Sequence, residues 1–293
     1  MAIYNLGSIN IDYFYQVPRL VLPGETIAAS AFHFGLGGKG ANQSIAAARG
    51  GASVFHIGAV GPDGEWALER LDNFGVNTDN VASLEIPTGH AIITVDPEGE
   101  NAIVIYSSAN VALAEEQIEE ALSSANEGDF CILQNETNLA PFTAQMAKER
   151  GMRVVYSAAP FDENHVREML PHIDILVVNE VEATQLAEAL ETNPDELPIS
   201  QVLITRGSGG AVFRSSEGEV EVPAFDVVPI DTTGAGDTYL GFFVAGLDAG
   251  MDTKGAMTFA SAGAAIQVMR SGTGDAIPEL LEVKAFLEER LAG

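Results

Sequence analysis

The residues best suited to chemistry lie in Asp231-Thr232-Thr233-Gly234-Ala235-Gly236-Asp237-Thr238. Small residues at 234–236 let the backbone turn tightly and bring its N–H groups close to a ligand. The helical run that follows, to Leu247, adds the positive end of a helix. Together these make an anion hole suited to a phosphoryl group or to the charge developing on it. Asp237 stands at the mouth of that hole, where a carboxylate would repel a resting phosphate. Two readings account for it: a general base that takes the proton of an attacking hydroxyl, or a helix cap.

A second segment, Gly35-Leu36-Gly37-Gly38-Lys39-Gly40-Ala41-Asn42, opens another helix and combines backbone freedom with a cation and an amide. That suits a polyhydroxyl or phosphate ligand close to the main chain. The glycines match a bare Gly-x-Gly-x-x-Gly, but they do not follow the first strand of a βαβ unit. No acidic residue ends a next strand about 20 positions on, so dinucleotide binding is not predicted. Gly38-Lys39 is followed by Gly40 rather than Ser or Thr, so the segment is not a P-loop. His33, His56, His90, His165 and His172 show no metal-ligand spacing, and Cys131 lies in an apolar run as a small hydrophobe would.

The elements that must hold these segments alternate. Ala2–Gly7, Ser53–Ala59, Phe130–Gln134, Arg153–Ser157, Ile173–Val178 and Val202–Thr205 read as short strands. Lys39–Arg49, Glu65–Asn73, Glu115–Ser123, Phe142–Arg150 and Val181–Leu190 read as helices between them, and Gly236–Leu247, Lys254–Met269 and Pro278–Leu291 as three closing helices. Such alternation predicts a parallel sheet covered on both faces. Ile11–Phe34 and the hairpin His90–Tyr106, turning at Asp96–Asn101, break the pattern. They form either a separate antiparallel lid or a pair of hairpins on the main sheet's edge. A lid with one uncovered face would double as a dimer contact.

The chain has 293 residues with 46% hydrophobic and 19% charged, a globular composition with room for a sizeable core. No run reaches the roughly 18 to 20 apolar residues of a membrane span, and Met1–Asn5 has no basic leader, so a cytoplasmic protein is expected. A single cysteine fits a reducing compartment. The net charge of −28 predicts neither a nucleic-acid nor an anionic-membrane partner. It also requires any ATP site to be locally positive, with Lys39, Arg206 and Arg270 as the candidate cations.

The two glycine segments, taken together, carry a resemblance. Gly37–Ser44, with Gly51 and Gly61, resembles the N-terminal signature of the ribokinase family of carbohydrate kinases, the phosphofructokinase-B family, and Asp231–Gly241 resembles its C-terminal signature. Two signatures in order, about 200 residues apart, are specific for the family, and the similarity runs from Gly7–Asp12 to the last helix. The resemblance implies an α/β/α sandwich with a mostly parallel central sheet and a small β-lid. It implies one kinase domain over 1–293, with lid segments near 11–34 and 88–107.

It also implies an ATP- and magnesium-dependent sugar kinase, aided by a monovalent cation such as potassium, and a homodimer joined through the lid. Asp237 would be the base, helped by Gly234, Ala235 and Gly236. Asn10, Asp12, Gly38, Lys39, Asn42 and Glu136 would hold sugar hydroxyls, and Ala91, Ile93 and Ile105 would close over the sugar from the lid. Asn179, Thr205, Arg206, Gly207, Ser208, Gly210, Gly236 and Ser261 would hold the nucleotide, and Glu182 would act through magnesium-bound water. Asp231, Thr233, Gln267, Arg270, Gly272 and Ala276 would surround the monovalent cation, mostly through carbonyls. Gly7–Asp12, Gln134-x-Glu136 and Glu98–Asn101 are most similar to the members that make ribose 5-phosphate from D-ribose. Other sugars, sugar acids, nucleosides and a non-catalytic sensor stay open as alternatives. Phe242, where the signature expects Gly or Ala, and Ser157, in place of Asn, depart from the pattern.

Overall fold

Apolar side chains that alternate in direction along short strands demand cover on both faces of the sheet they build. A computed structural model describes residues 1–193 and 196–291. Seven strands run parallel: β1 (Ala2–Leu6), β4 (Ser53–Val60), β5 (Val76–Ser83), β8 (Phe130–Leu133), β9 (Arg153–Ser157), β10 (Ile175–Asn179) and β11 (Gln201–Thr205). An antiparallel pair, β12 (Ala211–Ser215) and β13 (Gly218–Val222), extends one edge, giving the order β13-β12-β11-β10-β9-β8-β1-β4-β5.

Ile3, Phe130, Val155 and Ile175 join α1 (Lys39–Arg49), α2 (Glu65–Asn73), α7 (Ala235–Asp248), α8 (Thr253–Val268) and α9 (Leu280–Leu291) in one core. Their strand neighbours Tyr4, Cys131, Val154 and Leu176 join the opposite core, with α3 (Glu115–Ala121), α4 (Ala140–Glu149), α5 (Glu163–Met169) and α6 (Glu180–Ala189). The result is the three-layer sandwich that the alternation predicts. Among the described residues no helix is long and apolar enough to cross a membrane.

The two irregular segments form a sheet of their own rather than an edge of the main one. Its order is β3-β2-β6-β7, with β2 (Asn10–Gln16), β3 (Ala31–Gly37), β6 (Gly89–Val95) and β7 (Asn101–Tyr106); the central pair β2 and β6 runs parallel, so the lid is mixed and not antiparallel as expected. β2 leaves the end of β1, and β3 runs directly into α1, so the base of this small sheet meets the start of α1. Asp96 Oδ1 accepts from the Glu98 and Glu100 amides at 3.1 and 3.0 Å and shapes the β6–β7 turn.

Several elements lie where the apolar pattern marks none. β5 is a half-exposed edge strand whose polar residues hide its period, and β12 and β13 are five residues each. α5 offers only Val166 and Met169 as buried residues. The last helix begins at Leu280, two positions inside the predicted start.

α1 and α7 pack with almost no space between them. A Cβ built on Gly241 would lie 2.4 Å from Ala46 Cβ and 2.6 Å from the Gln43 carbonyl oxygen. Glycine is needed there because the helices approach more closely than a methyl group allows. Gly241→Ala is expected to destabilise the fold by about 1–3 kcal/mol through overpacking and to lower turnover. Denaturant unfolding together with an assay checks it, and wild-type stability would show that the helices can separate freely.

Candidate active site

Gly234, at φ 76°, turns the chain into α7, so Ala235 and Gly236 form the first turn and Asp237 follows within it. The Asp237 side chain does not cap its own helix. Its carboxylate reaches across to α1, where Oδ2 accepts from Asn42 Nδ2 at 3.2 Å and Oδ1 from Gln43 Nε2 at 2.9 Å. Burial pushes its pKa up to about 6, while the Lys39 ammonium and the two amide donors pull it back. The Ala235 N–H donates to the Thr232 carbonyl at 3.2 Å.

Lys39, the first residue of α1, lies among four carboxylates. Burial pulls its pKa down, but Asp237, Glu136, Glu182 and Asp12 together raise it above the ordinary lysine value. Glu136 is anchored beneath it: Oε2 accepts from Ser8 Oγ at 2.5 Å and from the Lys39 backbone N–H at 3.2 Å. Asp12 is 8% exposed and lies against the backbone of Gly37, where a Cβ would come within 2.0 Å of Oδ2. Burial, then the Glu136 charge, pushes Asp12 up to about 7, with Lys39 opposing. Asn10 Oδ1 accepts from Asn110 Nδ2 at 2.8 Å, and Asn110 Oδ1 accepts from the Ile9 amide at 2.9 Å. Asn10, Asp12, Gly38, Lys39, Asn42, Glu136 and Asp237 thus converge where the small sheet meets α1 and α7.

The lid residues divide. Ala91 pairs with Asp12 and with Ile105 across the sheet, and Ile93 pairs with Phe14. Ala91 and Ile93 are buried, but Ile105 is 56% exposed, because β7 is an edge strand exposed along its whole length.

On the other side of α7's first turn lies a cavity of about 270 Å³. Thr205, Gly207, Ser208, Gly210, Gly236 and Ser261, six of the residues that the family resemblance assigns to the nucleotide, line it. Arg206 and Asn179 do not. Arg206 points into ion pairs with Glu221 at 3.1 Å and Glu180 at 3.8 Å, which neutralise it. Asn179 forms a capping box on α6: its Oδ1 accepts from the Glu182 amide at 2.8 Å, and Glu182 Oε2 from the Asn179 amide at 2.9 Å. Burial raises the Glu182 pKa, against the pull of the Asn179 amide and Lys39.

The residues expected around a monovalent cation form a clip. Asp231 accepts from the Thr233 and Gly272 amides at 2.9 and 3.0 Å. Burial alone would raise Asp231, but these bonds hold it below the usual carboxylate value. The Gln267 amide nitrogen donates to the Thr233 carbonyl at 2.7 Å and the Gly272 carbonyl at 3.3 Å, which gives both carbonyls a partner already. Arg270 holds Glu282 at 2.5 Å and the Ala276 carbonyl at 3.5 Å, so its charge serves α9 rather than a ligand.

A family model described as pfkB family carbohydrate kinase matches residues 3–280. The chain belongs to that family. It is 37% identical to a ribokinase of Haemophilus influenzae, with 97% of each chain covered. Among solved structures it superposes on ribokinase from Thermotoga maritima with TM-score 0.89 and 31% identity, covering 98% of this chain and 99% of that one. Arabidopsis thaliana ribokinase, complexed with ribose and ATP, gives TM-score 0.86 at 28% identity and the same coverage. As a pfkB-family member the chain is a sugar kinase that uses ATP.

Three parts of the site carry little sequence signal. Gln43 is visible only as a letter of the N-terminal signature. Asn110 lies in a single turn of 3₁₀ helix, and Phe225, Val227 and Pro229, on the cavity wall, lie in an irregular segment after β13. Asn110→Ala would remove the donor that orients the Asn10 side chain. A sugar KM raised roughly 10-fold with little change in KM for ATP is expected, in line with the loss of a buried hydrogen bond. An unchanged sugar KM would show that Asn10 needs no such support.

Proposed function

We propose that this pfkB-family kinase transfers the γ-phosphoryl group of ATP to the terminal hydroxyl of D-ribose, giving ribose 5-phosphate. One observation carries the reading: the first turn of α7 faces two sites. Ala235 and Gly236 line the nucleotide cavity, while the next residue, Asp237, is bonded to Asn42 and Gln43 on the side of Lys39 and Asp12. A sugar held by Asn10, Asp12, Lys39, Asn42 and Glu136 would bring a hydroxyl to Asp237. The carboxylate takes its proton as the oxygen attacks the γ-phosphorus in line, and the positive end of α7 stabilises the charge on the transferring group. Ala91 and Ile93 would meet the apolar edge of the sugar and exclude water. Ribose is supported by the ribokinases among the relatives and by the small side chains of the lid.

Magnesium fits the donor set. Among the described residues no cluster of three His, Cys, Asp or Glu could hold a metal alone. A magnesium ion carried by the nucleotide phosphates and water, with Glu182 beyond the water, matches its usual ligation and would neutralise charge on the phosphates. The clip of Asp231, Thr233, Gln267 and Gly272 fits a monovalent cation less well, because the Gln267 amide already satisfies two carbonyls. Potassium is expected to raise kcat only a few-fold, consistent with a loop already held by four hydrogen bonds from Asp231 and Gln267. Strict potassium dependence would show that the ion displaces the amide.

Second copies of the chain are the fitting partner for the small sheet, since Phe32, Phe34, Val104 and Tyr106 share one face by register and are each more than half exposed. The reaction belongs in the cytoplasm, where ATP is held. Val104→Glu is expected to give a monomer by light scattering with a raised sugar KM; a wild-type monomer would remove the dimer.

The decisive assay measures ADP release with D-ribose, deoxyribose, fructose, a keto-deoxy sugar acid, adenosine and inosine. Asp237→Asn should keep nucleotide binding and lose about 10²–10⁴-fold in kcat. Wild-type kcat should fall as pH drops through about 6, because protonated Asp237 cannot accept a proton. Near-normal turnover in Asp237→Asn, or a flat profile down to pH 5, would remove the base. Turnover with another acceptor would discard ribose and keep the mechanism, whereas saturable ATP binding with no turnover on any acceptor would favour a sensor.

A further inference from the structure

The structure assigns Gln43 as the positioning residue of the base: a buried relay through Gln134 and Asn5 locks its amide so that nitrogen, and never oxygen, faces Asp237. The assignment rests on the reading of Asp237 as the base, and it follows from the direction of each hydrogen bond.

The relay starts at backbone carbonyls, which can only accept. His56 Nε2 lies 3.1 Å from the Gly7 carbonyl oxygen and must carry the proton there. His56 is fully buried, and burial pushes its pKa down to about 4, so the ring is neutral and Nδ1 is an acceptor. Ser44 Oγ, 2.8 Å from Nδ1, must then donate to it. That hydroxyl oxygen is left to accept, and Asn5 Nδ2 donates to it at 2.8 Å and to the Gly40 carbonyl at 2.9 Å. Asn5 therefore turns its oxygen toward Gln134, whose Nε2 donates to Asn5 Oδ1 at 2.8 Å and to Gln43 Oε1 at 2.7 Å. With its oxygen held there, Gln43 has only its nitrogen to offer Asp237, at 2.9 Å.

Asn5, Gln43, Ser44, His56 and Gln134 are each 1% exposed or less, so water does not compete for these bonds. Turning Gln134 over would set oxygen against oxygen at two contacts. The observed orientation instead leaves Gln134 Oε1 without a hydrogen-bond partner among the described residues. An amide free to rotate could present its oxygen to a protonated Asp237 and accept from it. The locked amide cannot, so it favours the carboxylate, the form that takes a proton from the sugar. The other groups facing Asp237 are Lys39 and Asn42 on α1 and Glu136 after β8, while Asp12 on β2 and Glu182 on α6 act on Lys39. Lys39 offsets the carboxylates electrostatically but does not fix an amide's direction.

The test is the kcat–pH profile of Gln43→Met, which removes the donor at similar volume, and of Gln134→Met, which removes the lock and leaves Gln43 in place. The acid limb is expected to move up by about one pH unit in Gln43→Met and by less in Gln134→Met, with kcat recovering toward wild type at alkaline pH. Sugar KM should stay within about two-fold, because neither side chain is placed on the sugar. A kcat lowered by one factor at every pH, with the limb unmoved, would mean packing alone and overturn the assignment. Titration of the ¹³C-labelled Asp237 carboxyl, identified by its loss in Asp237→Asn, must shift the same way and reads the effect even where product release limits kcat. If Gln43→Met does not fold, Gln134→Met decides, since it leaves the contact to Asp237 intact. An active Asp237→Asn would remove the base itself, whereas an inactive Asp237→Asn beside an unshifted Gln43→Met removes only the role of Gln43.

Discussion

Two hydrogen bonds from α1 to one carboxylate of α7 are the constraint around which the site is arranged. They join the helix that the lid sheet feeds directly to the helix whose first turn borders the cavity of about 270 Å³. Because the acceptor is charged, each bond is stronger than one between neutral groups. The bonds can form only where the helices nearly touch, which is why glycine stands at position 241 opposite Ala46. Sheet order, lid placement and the turn at Gly234 all lead to this one crossing.

Around it the chain sets ionisable groups against one another. Asp12 and Asp237 are both acids that burial raises, yet their partners differ: Asp12 faces Glu136 and lies higher, whereas Asp237 faces two amide donors and Lys39 and lies lower. Separating two carboxyls in this way lets one remain a proton acceptor near neutrality while the other can share a hydrogen with a hydroxyl. Lys39 serves all of them at once, so its removal would disturb every carboxylate in the site rather than one contact.

The sandwich was legible because strand and helix periods differ and their alternation permits few architectures. The order of strands was not, since it depends on which apolar faces meet. β5, β12 and β13 escaped because short or half-exposed strands bury too few side chains to show a period. At the site, the residue types around Asp237 pointed to phosphoryl chemistry, but base and cap could not be told apart. The partners that keep its side chain from capping α7, Asn42 and Gln43, lie 195 and 194 positions away. Arg206 and Arg270 read as cations for ATP from their positions, and only their neighbours Glu180, Glu221 and Glu282 reveal that both charges are already matched. Asn179 and Glu182 read as a motif for the nucleotide and proved to hold each other as well. Ile105 is apolar in the expected register, yet nothing within its own chain covers it.

The matched arginines bear on how the cycle ends. With Arg206 and Arg270 paired, the positive charge where the lid meets α1 and α7 is Lys39, which four carboxylates surround. A neutral sugar entering such a place meets little net field. A phosphate formed on a sugar there would meet the same carboxylates, inside a chain of net charge −28, and be repelled. Charge alone would then make admission and expulsion unequal, and a site that holds its substrate through hydroxyl contacts would release its product without a separate device to eject it.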